Sequence, residues 1–430
     1  MSGSPASRSG PEAGAGGSTP AQTFREAVAL LRTRRFGTFW FACLLSNVGG
    51  WAQQVAQPWL LLSIGASAGL VGLDAFAMDV PVLLLTLVGG VLADRRDRRR
   101  IIMLFQSVQM LCPLIVIALL LGGAIRPWMV ILLSLVVGVT DALSMPSFQS
   151  IVPSIVAPER IAAGLALNST QFNLSRIFGP ALAGVLMAGF GAVACYAASA
   201  ASYVPFILVA LWVLPARAAA GDEETDAGSR LFSGVRQIVR VPRLAAALLT
   251  VFVAGALCGP LVTFSPVLVK AVFHGSAGQF SAAIAAFGVG GLLGACALLA
   301  VAPQRDRRRI SWGCACLYAL VVVLAAAVPW LWGLVLLLVA AGASMSVTNT
   351  AANTFLLSTA DARLRGQTVS LYMLAMRGGA SLGSLMTGVT VSLLGVREAL
   401  ALNGVAAIAL QLLILHRYRT LPPALAKAGG

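Results

Sequence analysis

The chain has 430 residues, of which 58% are hydrophobic and only 10% charged, and its formal net charge is +15. A water-soluble protein of this length needs a polar surface, and so few charges cannot cover one. Nucleic-acid binding is excluded as the source of the positive charge. The Arg clusters sit between apolar runs and lack interleaved aromatic stacking residues.

The opening stretch, MSGSPASRSGPEAGAGGSTP, is polar and rich in Gly, Ser and Pro. It has no apolar run of signal-peptide type, so residues 1–22 are expected to be a disordered tail. In TFREAVALLRTRRF, Thr23 and Glu26 have capping-box spacing, and Phe24, Val28 and Leu31 share one helical face. This predicts a short helix at the membrane interface, with Arg25, Arg32, Arg34 and Arg35 at the lipid headgroups.

Apolar runs of roughly 20 residues then recur, the length a helix needs to cross a bilayer. They predict spans at 36–62, 69–92, 101–122, 128–147, 163–188 and 193–214. A second set follows at 244–268, 278–301, 310–328, 331–354, 366–393 and 397–416. The expected class is an all-α membrane protein of about twelve transmembrane helices in two six-helix halves. The halves are 23–214 and 244–416. A polar linker at 215–243 divides them, and a tail covers 417–430.

Lys and Arg choose one side. Only Arg126, Lys270 and Arg397 fall in loops of the other side, and Arg176 and Arg377 lie inside spans. The positive-inside rule therefore predicts that both termini are cytoplasmic. The hexapeptide RDRRRI occurs at Arg96–Ile101 and again at Arg305–Ile310, after the second span of each half. Arg176 and Arg377 mark the fifth and eleventh spans in the same way, in SRIFGPALAG and MRGGASLGSL. Both echoes predict an internal duplication with a cleft between the halves.

With its flank the first copy reads GGVLADRRDRRR. Gly90, Asp94, Arg95, Arg98 and Arg99 fit G-x-x-x-D-R-x-G-R-R, with Asp97 in place of the last Gly. This resembles the loop signature of the major facilitator superfamily. The stretches SNVGGWAQQVAQPWLL, MPSFQSIVPSIVAPERIAAGLALNSTQFNLSRIFGPALAG and LRGQTVSLYMLAMRGGASLGSL extend the likeness over about residues 25–415. They resemble the branch that contains the enterobactin exporter and the macrolide efflux proteins.

The resemblance implies a secondary active exporter in a bacterial inner membrane, driven by a proton gradient. It implies a gating loop in which Asp94 caps the start of the eleventh span and Arg98 finds a carboxylate. The loss of the Gly at Asp97 puts the loop geometry in question. The competing reading is that these Arg only set topology. Implied partners are a small-molecule substrate, protons and the lipid bilayer, with no nucleic acid, and the protein is expected to be a monomer. A siderophore or similar amphipathic metabolite is the leading substrate, and multidrug or macrolide-type efflux is the alternative.

Gly179-Pro180-x-x-x-Gly184 in the fifth span permits close packing and a kink. It also resembles the antiporter signature of exporters in the superfamily. Charges inside a membrane are costly, so each is a functional candidate. Asp79 sits near the middle of the second span and Asp141 in the inner half of the fourth. Asp74 lies nearer the mouth away from the Arg loops, where a bundle-holding role is expected.

Spans four and five are consecutive, which suggests an Asp141–Arg176 pair. In the family fold spans two and eleven meet between the halves, which implies an Asp79–Arg377 pair. A carboxylate in a dry site holds a proton more tightly, and an approaching Arg loosens it. Asp79 or Asp141 is accordingly the expected proton carrier, against the alternative of static pairs.

The first span carries Asn47, Gln53, Gln54 and Gln57 on two neighbouring stripes, with Trp51 one turn from Asn47. Asn47, Trp51 and Gln54, with Asn349 and Asn353 of the tenth span, are candidates to line a substrate cavity. Interhelical hydrogen bonding is the competing role for the amides.

No P-loop accompanies the only two lysines, Lys270 and Lys427. Gly290-x-x-x-Gly294 reads as helix packing. His274 and His416 have no ligand-spaced partners, and the seven Cys all fall in apolar segments. No metal site, no cofactor and no enzymatic activity are expected.

Overall fold

The computed structural model describes residues 29–213, 240–302, 305–360 and 364–419. The tail over 1–22, the Thr23–Glu26 box, nearly all of the 215–243 linker and the end of the C-terminal tail lie outside the described residues. Among the described residues the architecture is twelve long helices. They are α1 (Arg34–Ser63), α2 (Ala68–Arg95), α3 (Arg98–Leu121), α4 (Pro127–Ile155), α5 (Ile161–Phe190) and α6 (Ala192–Trp212), then α7 (Pro242–Val272), α8 (Ala277–Ala300), α9 (Arg307–Ala327), α10 (Leu331–Thr359), α11 (Arg365–Leu394) and α12 (Val396–Arg419).

Local chemistry sets the boundaries. Ser276 and Gln279 form a reciprocal capping box at the start of α8. Pro127 and Pro242 occupy the first turns of α4 and α7, where a missing N–H costs nothing. Single glycines separate α5 from α6 and α11 from α12. Gly191 has φ 77° and Gly395 φ 98°, a region costly for side chains with a Cβ. Two π turns, Ala254–Cys258 and Leu268–Val272, interrupt α7. The first runs up to Pro260, whose ring nitrogen cannot join the helical ladder.

Helices α4 and α10 run to Ile155 and Thr359, past the apolar limits at 147 and 354. Nine of the twelve helices meet a strict length-and-apolarity criterion for a membrane span among the described residues. The three that fall short are α1, α5 and α11. They are the helices that carry the amide stripes, Arg176 and Arg377.

The packing repeats with a shift of six helices. In the first half α1 packs on α5 and α6, α4 on α2 and α3, and α3 on α6. In the second half α7 packs on α11 and α12, α10 on α8 and α9, and α9 on α12. The halves meet through α2 on α11 and α5 on α8, which exchange under the same shift. Small residues make matching pairs possible. A Cβ on Gly89 would lie 2.5 Å from the Ala142 carbonyl oxygen of α4, and one on Gly290 would overlap the Val339 carbonyl of α10.

The two Arg hexapeptides start matching helices. The Asp97 carboxylate accepts the Arg99 backbone N–H at 2.9 Å and caps α3. The Asp306 carboxylate accepts the Arg308 and Arg309 N–H groups at 3.0 and 3.3 Å and caps α9. Asp97 has φ −61° and ψ 112°, an ordinary extended conformation. The turn therefore does not require glycine, which answers the question raised by that departure.

The apolar core differs between the two faces of the bundle. At the face away from the Arg loops one cluster joins the halves, with Leu61, Val71 and Ala183 beside Phe264, Phe280 and Leu400. At the Arg-loop face each half has its own core. Phe36, Ile102 and Phe206 belong to one, and Leu248, Leu356 and Tyr372 to the other. The bundle is thus closed by shared packing at one face only.

Candidate functional site

A cavity of about 250 Å³ lies between the halves, lined by α1, α2, α5, α7, α8 and α10. Its apolar wall includes Met78, Phe280, Phe287 and Met345, and its polar groups include Gln54, Gln57, Asp74, Arg176, Thr263 and Ser346. An apolar pocket with few convergent polar groups is the usual form of a small-molecule site.

Trp51 and Gln54 line it as expected. Asn47, Asn349 and Asn353 are not among its lining residues. The α10 contribution comes from Gly342, Met345 and Ser346 instead. Asn349 and Asn353 lie beyond these residues toward the Arg-loop face. The Asn349 carbonyl there accepts the Tyr372 hydroxyl at 3.2 Å.

Arg176 faces this cavity with its guanidinium carbon 5.6 Å from the centre of the Trp51 ring. Such stacking suits a cation held away from water. No carboxylate stands within ion-pair distance of Arg176 among the described residues. The expected Asp141–Arg176 pair is therefore not formed. Helix α4 packs chiefly on α2 and α3, and α5 packs on α1 and α8. Asp141 turns to α3 and accepts the Gln109 side-chain N–H at 2.8 Å.

Asp79 and Arg377 do meet, at 3.6 Å, where α2 packs on α11. Both side chains are about 30% exposed, at 31% and 28%. Arg377 acts electrostatically on Asp141 as well as Asp79, so one cation serves two carboxylates of the other half. The pair crosses between the halves, and any rocking of one half on the other changes its length.

Asp74 holds no ion pair among the described residues and is 5% exposed. One carboxylate oxygen accepts the Ser134 hydroxyl at 2.6 Å, and the other accepts the Gln57 amide at 2.7 Å. The Tyr196 hydroxyl donates to the Gln57 carbonyl oxygen at 3.3 Å. Four helices are tied together in this way at the end of the cavity. Sequence reasoning placed Asp74 near the mouth, but nothing in the spacing of residues 57, 74, 134 and 196 reveals that they meet.

Gly179 and Gly184 serve different contacts. A Cβ on Gly179 would overlap the Trp51 side chain, so this glycine lets α5 approach α1 and sets the ring under Arg176. Gly184 faces Ser281 of α8 across the halves, at 3.4 Å from its Cβ. Pro180 lines the cavity between them.

In the loop signature, Arg99 donates from its guanidinium to the Leu211 carbonyl at the end of α6, where a cation offsets the helix dipole. Arg98 opens α3, and Gly90 has open space around it. The side chains of Asp94 and Arg95 lie outside the described residues. No cluster of three or more His, Cys, Asp or Glu able to hold a metal occurs among the described residues.

A duplicated twelve-helix bundle with a cavity between its halves is the major facilitator fold. Residues 25–428 match the family model of the transmembrane secretion effectors, and the chain belongs to that family.

The Staphyloferrin A transporter of Staphylococcus aureus is 28% identical over 40% of this chain and 44% of its own length. The multidrug efflux pump Tap of Mycobacterium tuberculosis is 28% identical over 46% of this chain and 49% of its own length. Tap of Mycolicibacterium fortuitum is 25% identical over 62% and 67%. The chain thus spans less than half the length of the first two relatives. The nucleoside transporter NupG shares the fold, with a TM-score of 0.72 at 10% identity over 90% of this chain and all of its own. A bacterial homologue of Spinster in an inward-facing, unoccupied conformation gives 0.67 at 17% over 95% of this chain and all of its own.

Proposed function

We propose that this protein exports a small amphipathic molecule bearing an anionic group, of siderophore type, in exchange for protons. The observation that carries this reading is Arg176. It is a cation on the cavity wall, stacked on Trp51 and without a carboxylate partner among the described residues. A membrane-embedded charge without a protein partner is costly unless a ligand supplies one. Phe280, Phe287, Met78 and Met345 then accommodate the apolar body. The siderophore transporter among the relatives supports the same substrate class.

In this reading the Arg loops and both termini face the cytoplasm of a bacterial inner membrane, and the monomer is the transport unit. The shared core then closes the outer face, and the cavity belongs to the inward-facing state. The Asp79–Arg377 pair, with Asp141 beside it, acts as a state-dependent latch that breaks as the halves rock. Asp94, Arg95, Arg98 and Arg99 form the cytoplasmic gate on the strength of the loop signature.

Multidrug efflux is the second reading. The apolar wall and the Tap relatives favour it. Reconstituted vesicles decide between the two. Under an imposed proton gradient, anionic catecholate and carboxylate siderophores are expected to move and cationic dyes are not. Arg176→Gln should weaken siderophore transport by about tenfold or more. Dye transport that survives Arg176→Gln, with no siderophore flux, replaces the first reading by the second.

A further inference from the structure

We propose that Asp74 is the proton-binding site of this transporter, and that Ser134 and Gln57 hold it in both its charged and its neutral form. The inference rests on the proton-exchange reading above and identifies the group that performs it.

The argument starts from hydrogen atoms. Ser134 has one hydroxyl proton and two acceptors in reach, Asp74 Oδ1 at 2.6 Å and the Val130 carbonyl oxygen at 3.0 Å. It cannot donate to both. When Asp74 is ionised, the hydroxyl donates to Oδ1 and the Gln57 amide donates to Oδ2 at 2.7 Å. When Asp74 is protonated on Oδ1, that proton is donated to Ser134 Oγ, and the hydroxyl proton turns to Val130. Gln57 also donates to Ser134 Oγ at 2.7 Å, so the oxygen then accepts two bonds and gives one. Every partner is satisfied in either form, and Tyr196 keeps the Gln57 carbonyl oxygen occupied throughout.

A permanent anion has poor reason to sit here. Buried charges are normally paired, and the groups facing Asp74 are neutral: Gln57 from α1, Ser134 from α4 and the Tyr196 phenol from α6. From α5, Arg176 lies on the cavity wall over Trp51 and forms no ion pair with Asp74. From α7, Lys270 is turned to the Leu62 carbonyl at 3.0 Å and to the Trp59 ring. Asp79 on α2 itself is held by Arg377 from α11. From α8, the nearby cavity residues are apolar.

A permanently neutral group would be served as well by Asn. A group that alternates needs this double set of partners. The path for the proton is short, because Asp74 and Gln57 both line the cavity. The O–H bond at Oδ1 forms with a proton taken from water on one face. It breaks to water in the cavity when the halves stand as they do here.

Infrared difference spectra of the lipid-reconstituted protein across a pH series test the site directly. A carboxylic-acid C=O band should titrate in the wild type and in Asp79→Asn and Asp141→Asn, and vanish in Asp74→Asn. Ser134→Ala keeps the acid but removes its acceptor, so the band should persist at a shifted frequency. That variant covers the case in which Asp74→Asn does not fold. In vesicles Asp74→Asn should lose gradient-driven flux by about tenfold or more while substrate exchange without a gradient survives. An unchanged titrating band in Asp74→Asn, or full gradient-driven flux, overturns the inference. If wild-type flux ignores the proton gradient, the exchange reading fails. The infrared band then still establishes or removes Asp74 as a proton site.

Discussion

The two halves share one scaffold and divide the chemistry unequally. Five helix pairings in the first half return in the second with a shift of six. The capping aspartates Asp97 and Asp306, and the linking glycines Gly191 and Gly395, return with them. The carboxylates do not. Asp74, Asp79 and Asp141 all lie in the first half, and the described membrane interior of the second half holds none. Within that half, contacts such as Asn403 to Thr387 at 2.7 Å and Trp312 to the Gln411 carbonyl at 2.8 Å are neutral, and its Arg377 turns to Asp79 of the other half. The duplicated frame keeps the packing, and the membrane-embedded carboxylates are concentrated on one side of it.

The two related arginines should differ most. Arg377 serves two carboxylates across the interface, and Arg176 serves none among the described residues. Arg377→Gln leaves Asp79 and Asp141 facing each other without a cation. It is expected to destabilise the protein by about 2 kcal/mol, reduced from the fully buried value because the pair is partly exposed. Asp79→Asn should cost less, since Arg377 still acts on Asp141. Arg176→Gln should stay within about 0.5 kcal/mol in the absence of substrate. Thermal unfolding of the four proteins in lipid nanodiscs measures the order. Equal losses at Arg176 and Arg377 would mean that the halves are not specialised in this way.

The next contrast lies within one half. Gly89 and Gly90 are adjacent, yet a Cβ meets backbone atoms of α4 at the first and open space at the second. Gly89→Ala and Gly290→Ala should each cost about 2 kcal/mol by overpacking, and Gly90→Ala should leave unfolding unchanged. A transport defect in Gly90→Ala with normal stability would assign that glycine to movement of the loop. Comparable destabilisation at all three positions would contradict the helix pairing of α2 with α4 and α8 with α10.

Much of this was legible in the sequence because membrane spans write their period and charge plainly. Twelve runs, the repeated RDRRRI and the echo of Arg176 in Arg377 lead to the bundle and its duplication. The Asp79–Arg377 contact followed from the resemblance to the family fold, not from spacing. Consecutive helices suggest an Asp141–Arg176 pair. In this bundle consecutive helices are often poor neighbours, and Asp141 turns instead to Gln109. The spacing of the α10 amides suggests a cavity lining, but spacing fixes a face and not a depth. The Asp74 site was hidden because its four members come from four helices, each an unremarkable polar residue in its own run.

The smallest expected effect bears on the element that first revealed the duplication. Asp97 departs from the glycine of the loop signature, and here it caps α3 in an extended conformation that any residue adopts. Asp97→Ala removes the acceptor for the Arg99 N–H and should cost about 1 kcal/mol. Asp97→Gly restores the residue of the signature and should cost only a few tenths of a kcal/mol, because glycine is a tolerable cap. Asp306→Ala should cost at least as much as Asp97→Ala, since Asp306 accepts the corresponding N–H of Arg308 and a second from Arg309. Both aspartates also form a weak exposed pair with the Arg three residues on, at 3.9 Å for Arg100 and 3.3 Å for Arg309, which adds little. Unfolding midpoints of the three variants separate structure from gating. If Asp97→Gly transports as the wild type does, the loop needs a cap and not a particular residue. If transport falls while stability holds, the Asp97 carboxylate has a role in gating that Asp306 does not share.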